Sequence, residues 1–293
     1  MTDSSPLRFC CSGTFSPPEH LVPLAKAADE HGWDTMTLSD HIINPVETRS
    51  KYPYRDDGQR RWEMGTPWPD AWVTIGHLTA ITARLRYLTG VYILPARMPV
   101  HVAKQVGTAA VLSGNRVELG IGIGWMEEEF ELMGVPFAKR GARTDEMLEV
   151  LRALWTGEVV EHHGTHFDLP PLEMLPAPTK PVPVIVGGMS EAALRRAARN
   201  DGWISDLHTI DELAEIRRSL DRHRAEYGRS DLPFSMYASA TDAWDLDGYR
   251  RLADAGVTHL VTMPWYFYAG ADADLAGKLD GVRRFAEDII DKW

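Results

Sequence analysis

Short apolar runs alternate along this chain with longer segments in which apolar residues recur every three or four positions. Runs of the first kind are typical of buried strands, and segments of the second kind are typical of amphipathic helices. The predicted strands cover residues 7–11, 33–38, 85–94, 117–123, 184–186, 202–205, 234–239 and 258–262. The predicted helices cover residues 17–31, 70–83, 99–112, 140–155, 191–200, 210–227, 246–255 and 274–290. A further helix is expected to begin at the acidic residues 127–129, and a hairpin is expected over 159–169.

This regular alternation predicts a parallel sheet with helical crossovers. Eight strand–helix units in 293 residues favour a single closed (β/α)8 TIM barrel, an α/β fold, over the second choice, an open α/β sheet. No change in composition marks a boundary, so residues 1–293 are expected to form one domain. Insertions are expected after the second and fourth strands, at 44–69 and at 157–183, the second ending in a proline-rich connector.

The fourth predicted strand is apolar on one face and carries glycine at positions 120, 122 and 124 on the other. A face without side chains lets another group approach the backbone closely. That group is either a ligand or a helix that packs against a thin strand, and the strand alone does not decide between them.

Residues 44–69 show no clear period and mix arginines with aromatic residues, among them Trp62 and Trp68. A connection of this length inside a compact domain is usually functional or disordered. The segment is therefore a solvated excursion or a lid over a site. Its aromatic content favours the lid, because disordered segments are usually poor in aromatic residues.

Charge and cysteine content exclude several classes of function. The formal net charge of −11 argues against nucleic acid or an anionic membrane as partners. No run reaches the ~20 apolar residues of a membrane-spanning helix, and residues 1–6 lack the features of a signal peptide. Cys10 and Cys11 point to opposite faces of a strand, so we expect no disulfide between them. Cysteines that do not pair are typical of a reducing compartment, so we expect a cytoplasmic protein. We expect no metal site, because no Cys/His spacing in the sequence fits a metal.

In a TIM barrel the active site lies at the carboxyl ends of the strands. Glycines, one Asp-His pair, a hydroxyl at a helix start and several aromatic residues follow the predicted strands. These residues are Asp40, His41, Gly90, Val91, Gly122, Ile123, Gly124, Trp125, Gly187, Gly188, Met189, Ser190, Asp206, His208, Trp265, Tyr266 and Phe267. They include no serine elbow, P-loop or pair of catalytic carboxylates. The set suits a flat aromatic ligand with a phosphate group.

Two parts of this set, and a group of basic residues outside it, each leave two interpretations open. Residues 187–190 bind a phosphate at the start of a helix, or they form a plain turn capped by Ser190. His41 acts in proton transfer or is structural, and its place beside Asp40 at a strand end favours the first. An anionic tail, or ordinary surface acids, would pair with the basic residues Arg97, Lys139, Arg140 and Arg143.

An ordered set of motifs resembles the luciferase-like monooxygenase family, also called the bacterial-luciferase superfamily. The most specific block is the stretch 112–125, which reads Leu-Ser-Gly-Asn-Arg-Val-Glu-Leu-Gly-Ile-Gly-Ile-Gly-Trp. Further matching positions are 32–34, 39–41, 129–130, 134–137, 140–141, 143–146, 154–155 and 184–188. The resemblance runs from residue 7 to about residue 204, and it is greatest to the branch labelled F-420-dependent oxidoreductases.

The resemblance implies a TIM barrel that binds coenzyme F-420, a deazaflavin, or alternatively FMN at the strand ends. It implies that His41, with Asp40, acts near the ring and that Gly90 and Val91, where members carry a non-proline cis peptide, lie beneath it. It places the ring against residues 122–125 and the phosphate at 187–190 with Arg140.

Two further positions bear on the branch of the family. Gly141 stands where many FMN-using members have a tyrosine, which favours F-420. Trp125 stands where some sugar-phosphate-oxidising relatives have an acidic proton donor, so their mechanism does not transfer to this chain.

The expected function is hydride transfer between F-420 and a small hydrophobic or aromatic substrate. The alternatives are oxygen insertion with reduced FMN, and a non-catalytic flavin-binding or structural barrel. The expected walls of the substrate pocket are Trp62, Trp68, Trp265, Tyr266 and Phe267. The resemblance also implies a homodimer formed by helices around the second and third barrel units, where Val73, Leu78 and Ile81 lie.

Overall fold

The computed structural model describes residues 7–293, so the expectation for residues 1–6 lies outside it. The strands are β1 Arg8–Ser12, β2 Thr35–Leu38, β3 Arg86–Thr89, β4 Tyr92–Ile93, β5 Val117–Gly122, β6 Val160–His163, β7 Asp168–Leu172, β8 Val184–Gly187, β9 Gly202–His208, β10 Ser235–Ala240 and β11 His259–Thr262. The helices are α1 Pro18–Glu30, α2 Ala71–Thr79, α3 Pro99–Leu112, α4 Glu127–Leu132, α5 Arg140–Leu154, α6 Glu191–Ala198, α7 Ile210–Glu226, α8 Leu246–Asp254 and α9 Leu275–Asp288.

The parallel strands close into a barrel. Their order is β3-β2-β1-β11-β10-β9-β8-β5-β4, and the additional pairing of β3 with β5 joins the two ends of the sheet. β3 and β4 form one barrel strand, because both pair with β5. The prediction of an eight-stranded (β/α) barrel is confirmed, and the open sheet is excluded for the residues described.

The strand predicted over 85–94 is interrupted at the Gly90-Val91 peptide bond, which is cis. The register of β3 and β4 against β5 shows one extra residue on the β3–β4 side. One strand therefore bulges away from its partner at residues 89–91, which we call the 89–91 bulge. It lies at the carboxyl end of the third barrel strand, where the site is expected.

The hydrophobic core has an inner and an outer part. An inner cluster of Cys10, Leu88, Ile185, Ile204 and Tyr237 fills the barrel, and a larger cluster lies between the strands and the helices. Cys11 belongs to the outer cluster, and both cysteines are free, so the prediction that they do not pair is confirmed. Burial raises the pKa of the Cys11 thiol to about 12, which leaves it an unreactive core side chain.

Several predicted boundaries are wrong. The hairpin extends beyond its predicted end at residue 169, because strand β7 includes Pro170 and Pro171, which an edge strand tolerates. Strand β9 continues beyond the predicted residue 205 to His208. Helix α2 ends at Thr79, earlier than predicted. Within this helix the side chain of Leu78 is fully buried, so Leu78 cannot contact another subunit.

Residues 7–293 contain neither a membrane-spanning helix nor a cluster of metal ligands. No helix in this part of the chain is long and apolar enough to cross a membrane. Among the same residues, no group of three or more His, Cys, Asp or Glu side chains is arranged to hold a metal ion.

Candidate active site

The glycines of β5 make room for the 89–91 bulge. A Cβ atom on Gly120 would lie 1.8 Å from the carbonyl oxygen of Thr89, and one on Gly122 would lie 2.6 Å from Cγ2 of Val91. On the next strand, a Cβ atom on Gly187 would lie 2.8 Å from Cγ1 of Val91. Atoms do not approach this closely, so each of these positions needs glycine for the bulge to fit. The interpretation of the glycine face as an open wall for a ligand is therefore wrong.

The third glycine of the face, Gly124, is also covered by protein. It has a φ of +76°, and a Cβ atom there would lie 2.7 Å from the ring of Phe130. Its carbonyl oxygen accepts a hydrogen bond of 3.0 Å from Nε of Arg140. Protein atoms fill the space beside Gly122 and Gly124, so a cofactor can contact only their remaining backbone atoms. Ile123 and Trp125 can also offer side chains.

The end of β2 is tied to both sides of the bulge. The Ser39 hydroxyl donates a hydrogen bond of 3.2 Å to the carbonyl of Gly90. Two residues beyond the bulge, the Ile93 amide donates one of 2.9 Å to Oδ2 of Asp40, and Arg97 donates one of 2.7 Å to Oδ1. Burial raises the pKa of Asp40, and Arg97 opposes that rise. With both carboxylate oxygens engaged, Asp40 holds the bulge in place, and its catalytic role stays a prediction.

His41 lies at the barrel mouth, and its partner is Glu129 of α4 rather than Asp40. Nδ1 of His41 lies 3.1 Å from Oε1 of Glu129, and the same oxygen accepts a hydrogen bond of 2.8 Å from the Ile42 amide. The Glu129 side chain is fully buried, and its Oε2 has no hydrogen-bond partner. Glu129 is not among the site residues predicted from the sequence. The available signal was its spacing from Met126 and Phe130, which puts a carboxylate on the apolar face of a helix.

Aromatic side chains of the 44–69 segment cover His41. The ring centroids of Trp62 and Trp68 lie 4.7 Å and 4.8 Å from that of His41, and the Trp125 centroid lies 6.2 Å away. Tyr52 contacts both Trp62 and Trp125, with centroid distances of 5.7 Å and 5.3 Å. We call Tyr52, Trp62, Trp68 and Trp125 the mouth aromatic cluster. It brings together two of the predicted pocket residues.

The 44–69 segment is anchored on both sides of the mouth. On one side Arg61 forms an ion pair with Asp206 of β9. On the other side the Ser50 hydroxyl donates a hydrogen bond of 2.8 Å to Glu128 of α4. The segment thus spans the barrel mouth, which is the placement that a lid requires.

The three aromatic residues after β11 do not join the mouth aromatic cluster. Trp265 is buried against α9, where a Cβ atom on Gly281 would lie 2.5 Å from its Cα. Phe267 packs on Phe285 of α9 with a centroid distance of 5.9 Å, and Tyr266 is half exposed. The prediction that these residues line the same pocket as Trp62 and Trp68 is therefore not supported by the contacts.

The predicted phosphate site has the geometry of a helix start. Gly188 has a φ of +119°, and its carbonyl oxygen accepts a hydrogen bond of 3.0 Å from the Trp203 indole. Ser190 caps α6, since its hydroxyl accepts a hydrogen bond of 3.2 Å from the Ala193 amide. Met189 is exposed. A cap of this kind is compatible with a phosphate on the remaining amides, because the helix dipole favours an anion there.

Of the predicted basic residues, Arg97 is paired with Asp40, but Arg140 and Arg143 are not paired with acids. Nε of Arg143 donates a hydrogen bond of 3.0 Å to the Pro95 carbonyl, and Arg140 binds a carbonyl as described above. Among residues 7–293, neither guanidinium forms an ion pair with a carboxylate, and burial lowers the pKa of both. Both lie in the first turn of α5, where the helix dipole disfavours a cation. An anion bound there would remove that cost.

Comparisons with known proteins identify the family of this chain. The sequence profile described as luciferase-like monooxygenase matches residues 6–280. An uncharacterized protein of Mycobacterium tuberculosis is 43% identical over 290 residues, which cover 98% of this chain and 100% of that protein. An F-420-dependent glucose-6-phosphate dehydrogenase of Nakamurella multipartita is 29% identical over 250 residues, covering 81% of this chain and 67% of that protein.

A solved structure shares the fold. It is an F-420-dependent secondary alcohol dehydrogenase in complex with an F-420-acetone adduct, and it superposes with a TM-score of 0.77. The match covers 97% of this chain and 98% of that one at 16% sequence identity, so it bears on the fold alone.

Proposed function

Because this chain belongs to the luciferase-like monooxygenase family of oxidoreductases, we propose that it transfers hydride between coenzyme F-420 and a small hydrophobic or aromatic substrate. The observation that carries the proposal is the setting of His41. The His41 ring follows the end of a barrel strand, is held by the buried carboxylate of Glu129 and is covered by the mouth aromatic cluster. That is an ionisable group surrounded by aromatic side chains at the strand ends, where TIM-barrel enzymes act.

The residues present fit a flat cofactor with an anionic tail. The indole nitrogen of Trp68 is a buried donor with no partner, so the mouth has hydrogen-bonding capacity to spare. At one edge of the site, Arg140 and Arg143 lack acidic partners, and the start of α6 is capped by Ser190. These three elements would hold the tail, and Val91 of the bulge would support the ring.

The choice of F-420 over FMN rests on Gly141. A Cβ atom on Gly141 would already lie 3.2 Å from the guanidinium of Arg196. Arg196 is itself fixed by a hydrogen bond of 2.6 Å to Asp145. A tyrosine at position 141, as in many FMN-using members of the family, would therefore crowd the partly buried ion pair of Arg196 and Asp145.

Bound F-420 supplies a ring carbon that accepts or donates hydride, and the protein supplies orientation and proton transfer. Nε2 of His41 takes the proton of a substrate hydroxyl as hydride leaves, or returns it in the opposite direction. Trp62 and Trp68 exclude water from the reacting groups and pack against an apolar substrate. Asp40 and Ser39 act only by fixing the bulge.

Titration of the purified protein with F-420 and, separately, with oxidised and reduced FMN tests the cofactor. We expect F-420 to bind in the micromolar range, at least tenfold more tightly than either form of FMN, with a change in deazaflavin fluorescence. Tighter binding of reduced FMN would favour the oxygen-inserting alternative. Failure of all three ligands to bind below about 1 mM, equivalent to about −4 kcal/mol, would favour a non-catalytic barrel.

The role of His41 is tested with His41→Asn, which keeps a polar side chain of similar reach. We expect F-420 affinity within about twofold of wild type and a loss of hydride transfer of 10²–10⁴-fold, the usual contribution of a general base. The assay follows deazaflavin absorbance with a panel of aromatic alcohols and aldehydes. His77→Asn, at an exposed position of α2, is the control and should leave both quantities unchanged. Full activity of His41→Asn would remove His41 from the mechanism.

A further inference from the structure

We propose that Glu129 is the positioning residue of this site: it fixes the orientation and tautomer of His41, so that Nδ1 carries the proton and Nε2 is left as the base. The catalytic part of this inference rests on the proposed function. Its structural content stands on three observations: one shared carboxylate oxygen, one buried unpartnered oxygen and one ring nitrogen without a protein partner.

The shared oxygen determines which nitrogen of His41 is protonated. Oε1 of Glu129 accepts from the Ile42 amide at 2.8 Å, and an amide N–H can only donate. The same oxygen lies 3.1 Å from Nδ1 of His41. Because Oε1 of Glu129 can only accept a hydrogen bond from Nδ1, as it does from the Ile42 amide, Nδ1 must carry a proton. The adjoining backbone contact also fixes the loop that carries the imidazole, so that ring and loop are held by one atom.

The opposite edge of the ring is left for chemistry. In a neutral imidazole with Nδ1 protonated, Nε2 is the acceptor. Nε2 of His41 forms no hydrogen bond with any residue in the range 7–293, and the side chain is 9% exposed at the mouth. Trp62 and Trp68 flank the ring on its remaining sides. A substrate proton can therefore reach Nε2 only from the barrel mouth.

The unpartnered oxygen explains why a carboxylate is used rather than an amide. Oε2 of Glu129 is buried without a hydrogen-bond partner, so the charge of the group is poorly compensated while His41 is neutral. When Nε2 takes up a proton, the imidazolium becomes the counter-charge of this buried carboxylate. Glu129 thus stabilises the protonated form of His41 that hydride transfer from an alcohol generates, and it does so without touching the substrate.

Tautomers are read by ¹⁵N–¹H correlation spectra of the histidine rings of the full chain without cofactor, assigned with His41→Asn. In wild type we expect His41 to be protonated on Nδ1. Glu129→Gln should keep this tautomer, because the Ile42 amide holds the amide oxygen of the new side chain in the same place. Glu129→Leu should abolish the preference. If that variant does not fold, Glu129→Ala serves the same purpose with less steric demand.

Kinetics supply the second measurement. Glu129→Gln should lower hydride transfer by about tenfold and Glu129→Leu by about 100-fold, by analogy with the roughly 10–100-fold losses found when the hydrogen-bond partner of a metal-bound histidine is removed, with F-420 affinity unchanged within about twofold. Glu127→Gln removes a charge from the same helix turn without contact to His41 and should match wild type in both measurements. A wild-type His41 protonated on Nε2, or a Leu variant that keeps the Nδ1 tautomer, overturns the inference. Since the spectra need no cofactor, absence of F-420 binding with the expected tautomers would refute only the proposed function.

Discussion

At the scale of single residues, Gly120 decides whether the 89–91 bulge can form. An added methyl group there would meet the Thr89 carbonyl oxygen at 1.8 Å, in a fully packed barrel interior. We expect Gly120→Ala to lower the free energy of unfolding by about 3 kcal/mol, the upper part of the range for overpacking, measured by urea denaturation. Gly90→Ala is the matched control, because its methyl group would have ordinary contacts of 3.5 Å with Thr37 and Ile204. A cost at Gly120 no larger than at Gly90 would contradict this account.

A second residue-scale prediction concerns His259 at the start of β11. Burial, together with the nearby cations Arg8 and Arg86, lowers its pKa to about 4 despite Asp34. In the unfolded chain His259 takes up a proton near pH 6.5, whereas in the folded chain it stays neutral until about pH 4. The unfolded state therefore binds more protons in this window, and stability falls as the pH is lowered from 6.5 to 4, by about 3 kcal/mol.

The measurement is the free energy of unfolding at intervals across that window for wild type and His259→Gln. The variant carries no titrating group at this position, so its stability should depend less steeply on pH. His77→Gln, on the exposed side of α2, should keep the wild-type slope. Equal slopes in wild type and His259→Gln would show that another group causes the acid sensitivity.

At the scale of elements, the anchoring of the 44–69 segment on α4 depends on Glu128. Burial alone would raise the pKa of Glu128, but hydrogen bonds from its own amide, from Ser50 and from the Arg49 amide outweigh it and lower the pKa to about 2. The anchor is therefore intact above the unfolded pKa near 4.3 and is lost as the pH falls through about 2. At neutral pH only a substitution removes it.

We expect Glu128→Gln to increase the rate of proteolysis within residues 44–69 by about tenfold at pH 7, since a hydrogen bond to a charged acceptor contributes about 1.5–3 kcal/mol. Cleavage products are identified by mass spectrometry under conditions where the barrel stays folded. Glu131→Gln removes only a half-exposed partner of Arg49 and should have a smaller effect. Identical cleavage rates for wild type and Glu128→Gln would mean that other contacts anchor the segment.

Individual helices and strands could be predicted from the sequence, whereas the contacts between them could not, for a physical reason. Helix α3 and the order of strands were predictable, because periodicity reports which face is buried. The sequence also pointed to Gly90 and to the glycines of β5, but as separate features. Their contact with each other depends on the register of two strands, which no local pattern contains. The same holds for Glu129, whose partner His41 lies 88 positions earlier in the chain.

The three aromatic residues that follow β11 show a different kind of error, in which a contact was predicted that the structure does not contain. Their place at a strand end was predictable, and the barrel rule then assigned them to the site. A short 3-10 turn, Pro264–Phe267, instead directs Trp265 and Phe267 to α9 and leaves Tyr266 half exposed. Strand ends thus locate candidate residues, but the first turn after the strand decides which of them face the mouth.

At the scale of the whole molecule, the remaining question is how copies of the chain assemble. We propose a homodimer through α2 and α3, as in the family that the chain resembles. Val73 of α2 is 71% exposed and Leu112 of α3 is 76% exposed, so both helices present large apolar side chains to the outside. Leu78, which was expected to take part, is fully buried in its own subunit and is excluded.

Light scattering coupled to gel filtration should give twice the chain mass for wild type. Val73→Asp should give the mass of a single chain at micromolar concentration, because a carboxylate at the centre of an apolar interface is desolvated without a partner in both copies. Val46→Asp introduces the same charge at an 80% exposed apolar position in the 44–69 segment and should leave the dimer intact. If Val73→Asp has the mass of the wild-type dimer, the interface lies elsewhere, and a wild type with the mass of one chain would refute the homodimer.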